Sequence, residues 1–384
     1  MKKFWFVLTL VGLLFLGTSI VVQAEGKEGA NEEELQESYL DELDLNEIES
    51  TLDNILGDTK FDFKDALGKL IKGDMPMTPS SILQIVKDAF FAELNQYKST
   101  MLHIIMIVIA AAIFTNFTGV FEKSQIADIS FYMMYLLLFT VLIKAFWDMS
   151  QLTMDTLGQV LNFMKVLLPA YFVAATFAAG SITAAGFYEL TLVLITVIQW
   201  VLKYLLLPGV NLYVIFLLLN HLAKEEYLSK MAELLNLMIS WVLKTLLGAV
   251  IGIQTVQCLI MPAVDSLKNT LLHKTSGAIP VIGNVFNAVS EVVVGSAVLV
   301  KNAVGVAGLI AVLIICLMPL VKLVIGTFMY KLLSAVIQPI SDKRMIDCIG
   351  SIGDGAALLV RILFTAGALF LITLAMVTAS IRGL

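Results

Sequence analysis

Charge is scarce in this 384-residue sequence: Asp, Glu, Lys and Arg make up 15% of it, against 59% hydrophobic residues. Soluble domains carry about 25% charged and 45–50% apolar residues, so a soluble globular protein is excluded. Cysteine is nearly absent. Cys258, Cys316 and Cys348 are too few and too scattered for a disulfide framework or a zinc site, and two of them sit in apolar runs where a thiol behaves as a small buried hydrophobe. The three histidines, His103, His221 and His273, are far apart, each near the end of an expected helix. No GxxxxGK[ST] loop, HExxH helix, GxSxG elbow or CxxC pair occurs, and no spacing brings Ser181 or Ser296 to a histidine as an intramembrane hydrolase would need. The expectation is a protein that is not an enzyme and has no metal and no cofactor.

The charge that is present is unevenly placed. Residues 25–98 hold 18 acids and 7 bases, whereas residues 99–384 hold 13 acids and 16 bases. The net charge of −6 therefore describes one acidic segment joined to a mildly basic apolar domain, which gives no reason to expect nucleic acid as a partner. Ahead of the acidic segment, Lys2 and Lys3, an apolar stretch from Phe4 to Leu16, and Val22-Gln23-Ala24 have the layout of a signal peptide over residues 1–24. The rival is an uncleaved anchor, since Phe4 to Val22 nearly suffices to span a bilayer. Both place residues 25–98 outside the cytoplasm. Within that segment Leu45, Ile48, Leu52 and Ile55 recur at helical spacing. After Gly73, Pro76 and Pro79, a second amphipathic helix carries Ile82, Ile85, Val86, Ala89, Phe90 and Leu94. That stripe fits packing against the membrane domain or headgroups, or docking of a partner.

From Met101 the chain becomes a series of apolar runs, each near the roughly 20 residues that cross a bilayer. Counting Met101–Val120, Ile129–Ile143, Val166–Tyr188, Leu190–Leu219, Leu234–Val256, Ala278–Val300, Asn302–Val321 and Ala356–Ala379 predicts an all-α polytopic membrane protein with about eight spans. The stretch 148–165, with Asp148, Asp155 and Lys165, reads as an interfacial helix. Residues 99–164 then hold two spans and that helix.

Residues 165–258 and 275–384 read as two membrane repeats of three helices each. Pro169 and Pro208 in the first, and Pro280 and Pro319 in the second, share an offset of 111, with Leu206-Leu207-Pro208 against Leu317-Met318-Pro319. The four prolines are candidate helix breaks, and paired breaks in two halves point to a site at mid-membrane. A kink that only improves packing is the plainer reading. The halves run inverted if each broken segment crosses once and parallel if it crosses twice. Lys203, Lys244, Glu291, Lys322 and Arg361 are costly in hydrocarbon unless they face a cavity or a counter-charge. Glu291 with Lys322 or Arg361 is the candidate interior pair. Asn211 stands three residues after Pro208 as Lys322 does after Pro319, and Lys301 is expected to snorkel to the interface.

Three strings carry a family resemblance: Gly277-Ala278-Ile279-Pro280-Val281-Ile282-Gly283-Asn284, Val300-Lys301-Asn302-Ala303-Val304-Gly305-Val306, and Gln338-Pro339-Ile340-Ser341-Asp342. With them the whole chain resembles the stage III sporulation protein AE family of endospore-forming bacteria. The resemblance implies a multi-pass protein of the mother-cell membrane around the engulfed forespore. It also implies partners among the other membrane proteins of a trans-envelope channel complex that supports forespore development, in part by passing small molecules. It supplies no catalytic or ligand residues. Three classes of function stand side by side. One is a channel or permease component, in the complex or as a stand-alone small-molecule transporter, and the intramembrane charges favour it. A second is a non-conducting scaffold, which the acidic exported segment favours. The third is an intramembrane enzyme, which nothing favours.

Overall fold

The computed structural model describes residues 43–57, 61–118, 124–179, 181–222, 227–276 and 283–380, with Ser38 and Leu40. Every regular element among them is helical: α1 (Leu45–Leu56), α2 (Phe63–Ile71), α3 (Pro79–Thr118), α4 (Ser124–Ala179), α5 (Ser181–Trp200), a π-helical turn (Val201–Leu206), α6 (Leu207–Leu222), α7 (Ser229–Ser276), α8 (Gly283–Ile337) and α9 (Lys343–Ser380).

The two short acidic helices are capped and cross-linked by their own polar residues. Asp44 accepts the Glu47 amide and Asp62 the Asp65 amide, and Gly57 closes α1 in the left-handed region at φ 55. Glu49 accepts the amide of Phe63 at 2.9 Å and Lys64 donates to Asn46 at 2.7 Å. Partial burial pushes the Glu49 carboxyl above its ordinary range, with the Phe63 amide pulling the other way. The apolar faces, Ile48 and Leu52 on α1 and Phe63, Ala66 and Leu67 on α2, are fully buried. α1 packs on α4 and α2 on α8, so this unit borrows the membrane domain for a core that its own length could not supply.

The structure joins segments that the sequence separated. The second amphipathic helix and the first expected span are one 40-residue helix, α3. Its inward stripe passes Ala89, Glu93, the partly buried Tyr97, Met101, Ile104, Val108 and Ala111 at three- and four-residue steps, while Phe90 is 42% exposed, so the buried face differs from the expected one. The stretch 148–165 is the middle of α4 and not a separate helix. Asp148, Asp155 and Lys165 all point outward, leaving Met149, Thr153, Leu157, Val160 and Met164 to the core. Ala278–Val300 and Asn302–Val321 likewise merge in α8, so residues 283–380 form two helices where three spans were expected. In place of eight runs, six helices among the described residues are long and apolar enough to cross a membrane, the longest stretch being Phe131–Ala178. At 1.5 Å per residue the 56-residue α4 is about 84 Å long, far beyond a hydrocarbon core of about 30 Å.

Prolines bend this plan less than their chemistry allows. Pro169 and Pro319 lie inside α4 and α8, which run on through them. The break at Pro208 takes the form of the π turn just before it, where the Leu207 amide reaches back to the Leu202 carbonyl. A wider turn accommodates the ring and the missing N–H without ending the helix. Pro280 and the side chain of Glu291 lie outside the described residues, as does the signal-peptide stretch 1–24.

The bundle is organised on the antiparallel α8–α9 hairpin, whose turn is closed by Asp342 accepting the Arg344 amide at 2.9 Å. The Arg344 guanidinium then lies 3.6 Å over the Phe131 ring of α4. α4 packs along both hairpin helices, α3 along α8 and α4, α6 along α4 and α9, and α7 along α6 and α9. Tyr135 of α4 donates to the Leu218 carbonyl at 2.6 Å and His221 of α6 meets Ser351 of α9 at 3.0 Å, so polar side chains tie the helices near the α8–α9 turn.

Candidate functional site

In helices this apolar, the polar side chains that remain carry most of the functional information. Close pairs across the bundle set their relative heights: Gly326 beside Tyr97 and Met149, Gly367 beside Cys316, Gly355 beside Phe146 and Val214, and Gly209 beside Ile239. Counting along the helices from those pairs brings Glu93, Asp148, Ser150, Asn211, Ser240, Lys322 and Arg361 within about five residues of one height, roughly 8 Å of helix rise. These residues come from α3, α4, α6, α7, α8 and α9. Arg361 is the midpoint of the apolar stretch Lys343–Ala379, so the belt crosses α9 half-way along.

The belt is tied in three places. Lys322 Nζ lies 3.7 Å from Glu93 Oε2, with the glutamate side chain only 8% exposed and the lysine 39%. Ser150 Oγ donates to Asn211 Oδ1 at 2.8 Å, and Arg361 donates to Ser240 Oγ at 3.1 Å. Beside the ion pair, Tyr97 meets Tyr330 edge to face at 6.2 Å, and Asp148 lies close enough to act electrostatically on both phenols.

Lys322, Arg361 and Asn211 therefore stand at one level, as residues sharing a site would, yet each has its own neighbour. Lys322 reaches to α3, Arg361 to α7 and Asn211 to α4. The two cations turn away from each other across the α8–α9 hairpin. Lys203 lies half-buried on the π turn, one to two turns from the belt, and Lys244 is exposed on α7. By composition Glu93 belongs to the acidic stretch 25–98, and only its place on the inward stripe of α3 marks it as a belt residue. Lys301 departs furthest from expectation. It does not snorkel: it is 1% exposed, and its Nζ donates to the Thr378 carbonyl at 3.3 Å, two residues from the end of α9. A cation there offsets the negative end of the helix dipole and occupies a terminal carbonyl.

A model of the stage III sporulation protein AE family matches residues 61–380, which takes in α2 to α9. The chain belongs to the stage III sporulation protein AE family. The stage III sporulation protein AE of Bacillus subtilis (strain 168) is 23% identical over 388 aligned positions, covering 98% of this chain and 97% of that protein. No solved structure matches. The chain is thus a helical membrane protein of a sporulation family, and the polar belt runs through the part that the family shares.

Proposed function

We propose that this protein is an integral membrane component of a sporulation-specific channel complex between mother cell and forespore, required for forespore development, and that its bundle contributes to the passage of small molecules. Membership of the sporulation family supports the setting. The observation that carries the transport reading is the belt, because six helices spend polar or charged side chains at one height near the middle of α9, and the Glu93 carboxylate is buried there against Lys322, where an unpaired ion would be expensive. The paired positions Asn211 and Lys322, both in the belt, favour a relation between α6 and α8, and we assign no catalytic step. The alternative is a membrane scaffold that assembles the complex without conducting, which the acidic α1–α2 unit docked on α4 and α8 favours.

In sporulating cells, deletion of the gene should arrest development with forespores formed but not matured. In liposomes, the purified full-length chain should release a panel of encapsulated small metabolites faster than protein-free liposomes. Arrest with no release of any panel member favours the scaffold, and normal spores overturn both readings.

We also place the acidic α1–α2 unit outside the cytoplasm, with a cleaved signal ahead of it, and α3 to α9 in the membrane surrounding the forespore, so the exported segment ends where α3 begins rather than at residue 98. A reporter active only in the cytoplasm, fused after Lys72, should be silent, whereas the same reporter fused in the 338–342 turn reports the opposite end of α8. Activity after Lys72 would reverse the orientation of every helix.

A further inference from the structure

Away from the belt, a second polar group is buried without partners. Gln254 and Gln257 of α7, Thr191 and Gln199 of α5 and Thr373 of α9 are each at most 7% exposed. Both amide atoms of Gln254 and of Gln257, the Gln199 carbonyl oxygen and both threonine hydroxyls lack a hydrogen-bond partner among the described residues. Buried polar groups are ordinarily satisfied, by protein or by an enclosed small molecule.

These side chains lie on the faces that the helices turn inward. On α7 the buried positions run Ala232, Ile239, Leu243, Val250, Gln254, Gln257, a seam of three-, four- and seven-residue steps in which glutamines take the last two apolar places. Thr191 and Gln199 belong to the inward stripe of α5 with Ile195 and Ile198, which Leu202 continues on the π turn, and Thr373 to that of α9 with Ala366, Leu369, Phe370 and Val377. The threonines depart from the habit of this chain, too. Eight others, at 140, 153, 156, 176, 196, 255, 327 and 378, donate to the carbonyl four residues back, which Thr191 and Thr373 do not.

The register draws the five together. α5, α7 and α9 pack against one another. Gly209 beside Ile239 sets the antiparallel α5–α6 line against α7, and Arg361 on Ser240 sets the parallel α9. Thr191 then comes level with Gln257, Thr373 falls about two residues, or ~3 Å of rise, from Gln254, and Gln199 about one and a half turns away.

We propose that α5, α7 and α9 enclose a binding site for a small uncharged solute bearing hydroxyl or amide groups. Glutamine offers both a donor and an acceptor and threonine can act as either, with no formal charge among the five, so the lining matches neutral hydrogen-bonding molecules and disfavours ions. This goes beyond the channel reading and holds whether or not the assembled complex conducts.

Thiol labelling of the full-length protein in membranes tests it, in a variant with Cys258, Cys316 and Cys348 replaced by alanine. Gln254→Cys and Thr373→Cys should each react with a small neutral water-soluble thiol reagent at least about tenfold faster than Val250→Cys on the same α7 seam, the margin between a wet and a dry interior. Glycerol or acetamide at high concentration should slow the reaction severalfold at both sites. Thr373→Cys is nearly isosteric, so it reports even if Gln254→Cys disturbs the helix. Labelling as slow as at Val250→Cys, or fast labelling that neither probe slows, overturns the site. Neither result depends on sporulation, so failure here is separable from failure of the channel reading.

Discussion

Replacing Gly355 with leucine should leave almost no folded protein in the membrane fraction. Gly355 sits on α9 where α4 and α6 both press in: a Cβ built there runs into the side chain of Val214 and lies 2.8 Å from the ring of Phe146. Neither neighbour is the free end of a flexible chain, since Val214 is fully buried and Phe146 nearly so. Even the single methyl of Gly355→Ala forces the three helices apart or the ring off its rotamer, at a cost of about 1–3 kcal/mol. Leucine adds three more carbons in the same place. Gly248→Ala on α7 is the control, because a Cβ there meets nothing within 4 Å, and exchanging a mid-helix glycine for alanine there stabilises by about 0.5–1 kcal/mol. Thermal unfolding of the detergent-solubilised protein should rank Gly248→Ala above wild type and Gly355→Ala below it. If Gly355→Leu accumulates normally, the close approach of α4, α6 and α9 is wrong.

The crossing also shows where the sequence was legible and where it was not. Helical character and the membrane class followed from apolar runs, because a chain in lipid must satisfy its backbone internally and helices are the way an all-apolar run does so. The family strings around Pro280, Lys301 and Pro339 were local and short, so they were readable as text. The number of crossing elements was not. A charge between two apolar runs looked like a boundary, but Asp148, Asp155 and Lys165 share the outward side of α4 and interrupt nothing. Partnerships were the least legible of all. Lys322 meets Glu93 from more than two hundred residues away, and Lys301 finds the last turn of α9. The proline offset paired Asn211 with Lys322 by position after Pro208 and Pro319, but periodicity carried no information about which neighbour each would face.

Reversing the charge of Glu93 should be more damaging than removing it. Glu93 lies on the inward stripe of α3, 8% exposed, with the half-exposed Lys322 ammonium at 3.7 Å. An exposed ion pair contributes little, but here the carboxylate is buried, so its partner's loss strands a charge away from water. Discounted for the exposure of the lysine, Lys322→Met should destabilise by about 1–3 kcal/mol. Glu93→Gln keeps the shape and leaves the lysine able to reach solvent, so its effect should be smaller. Glu93→Lys puts two cations on facing helices, desolvated and without a carboxylate, and α3 should detach from α8. Protein level and spore yield should both collapse. The swap Glu93→Lys with Lys322→Glu restores attraction across the same α3–α8 contact, and the double neutral change Glu93→Gln with Lys322→Met removes the stranded charge altogether. Both should return protein to the membrane. The two rescues differ in what they retain, because only the swap keeps an ion pair in the belt. Spore yield restored by the swap but not by the neutral pair would assign the pair a part in the passage of solute. Equal restoration by both would make it a fastening between α3 and α8, and failure of both to recover the protein would show that Glu93 and Lys322 do not face each other.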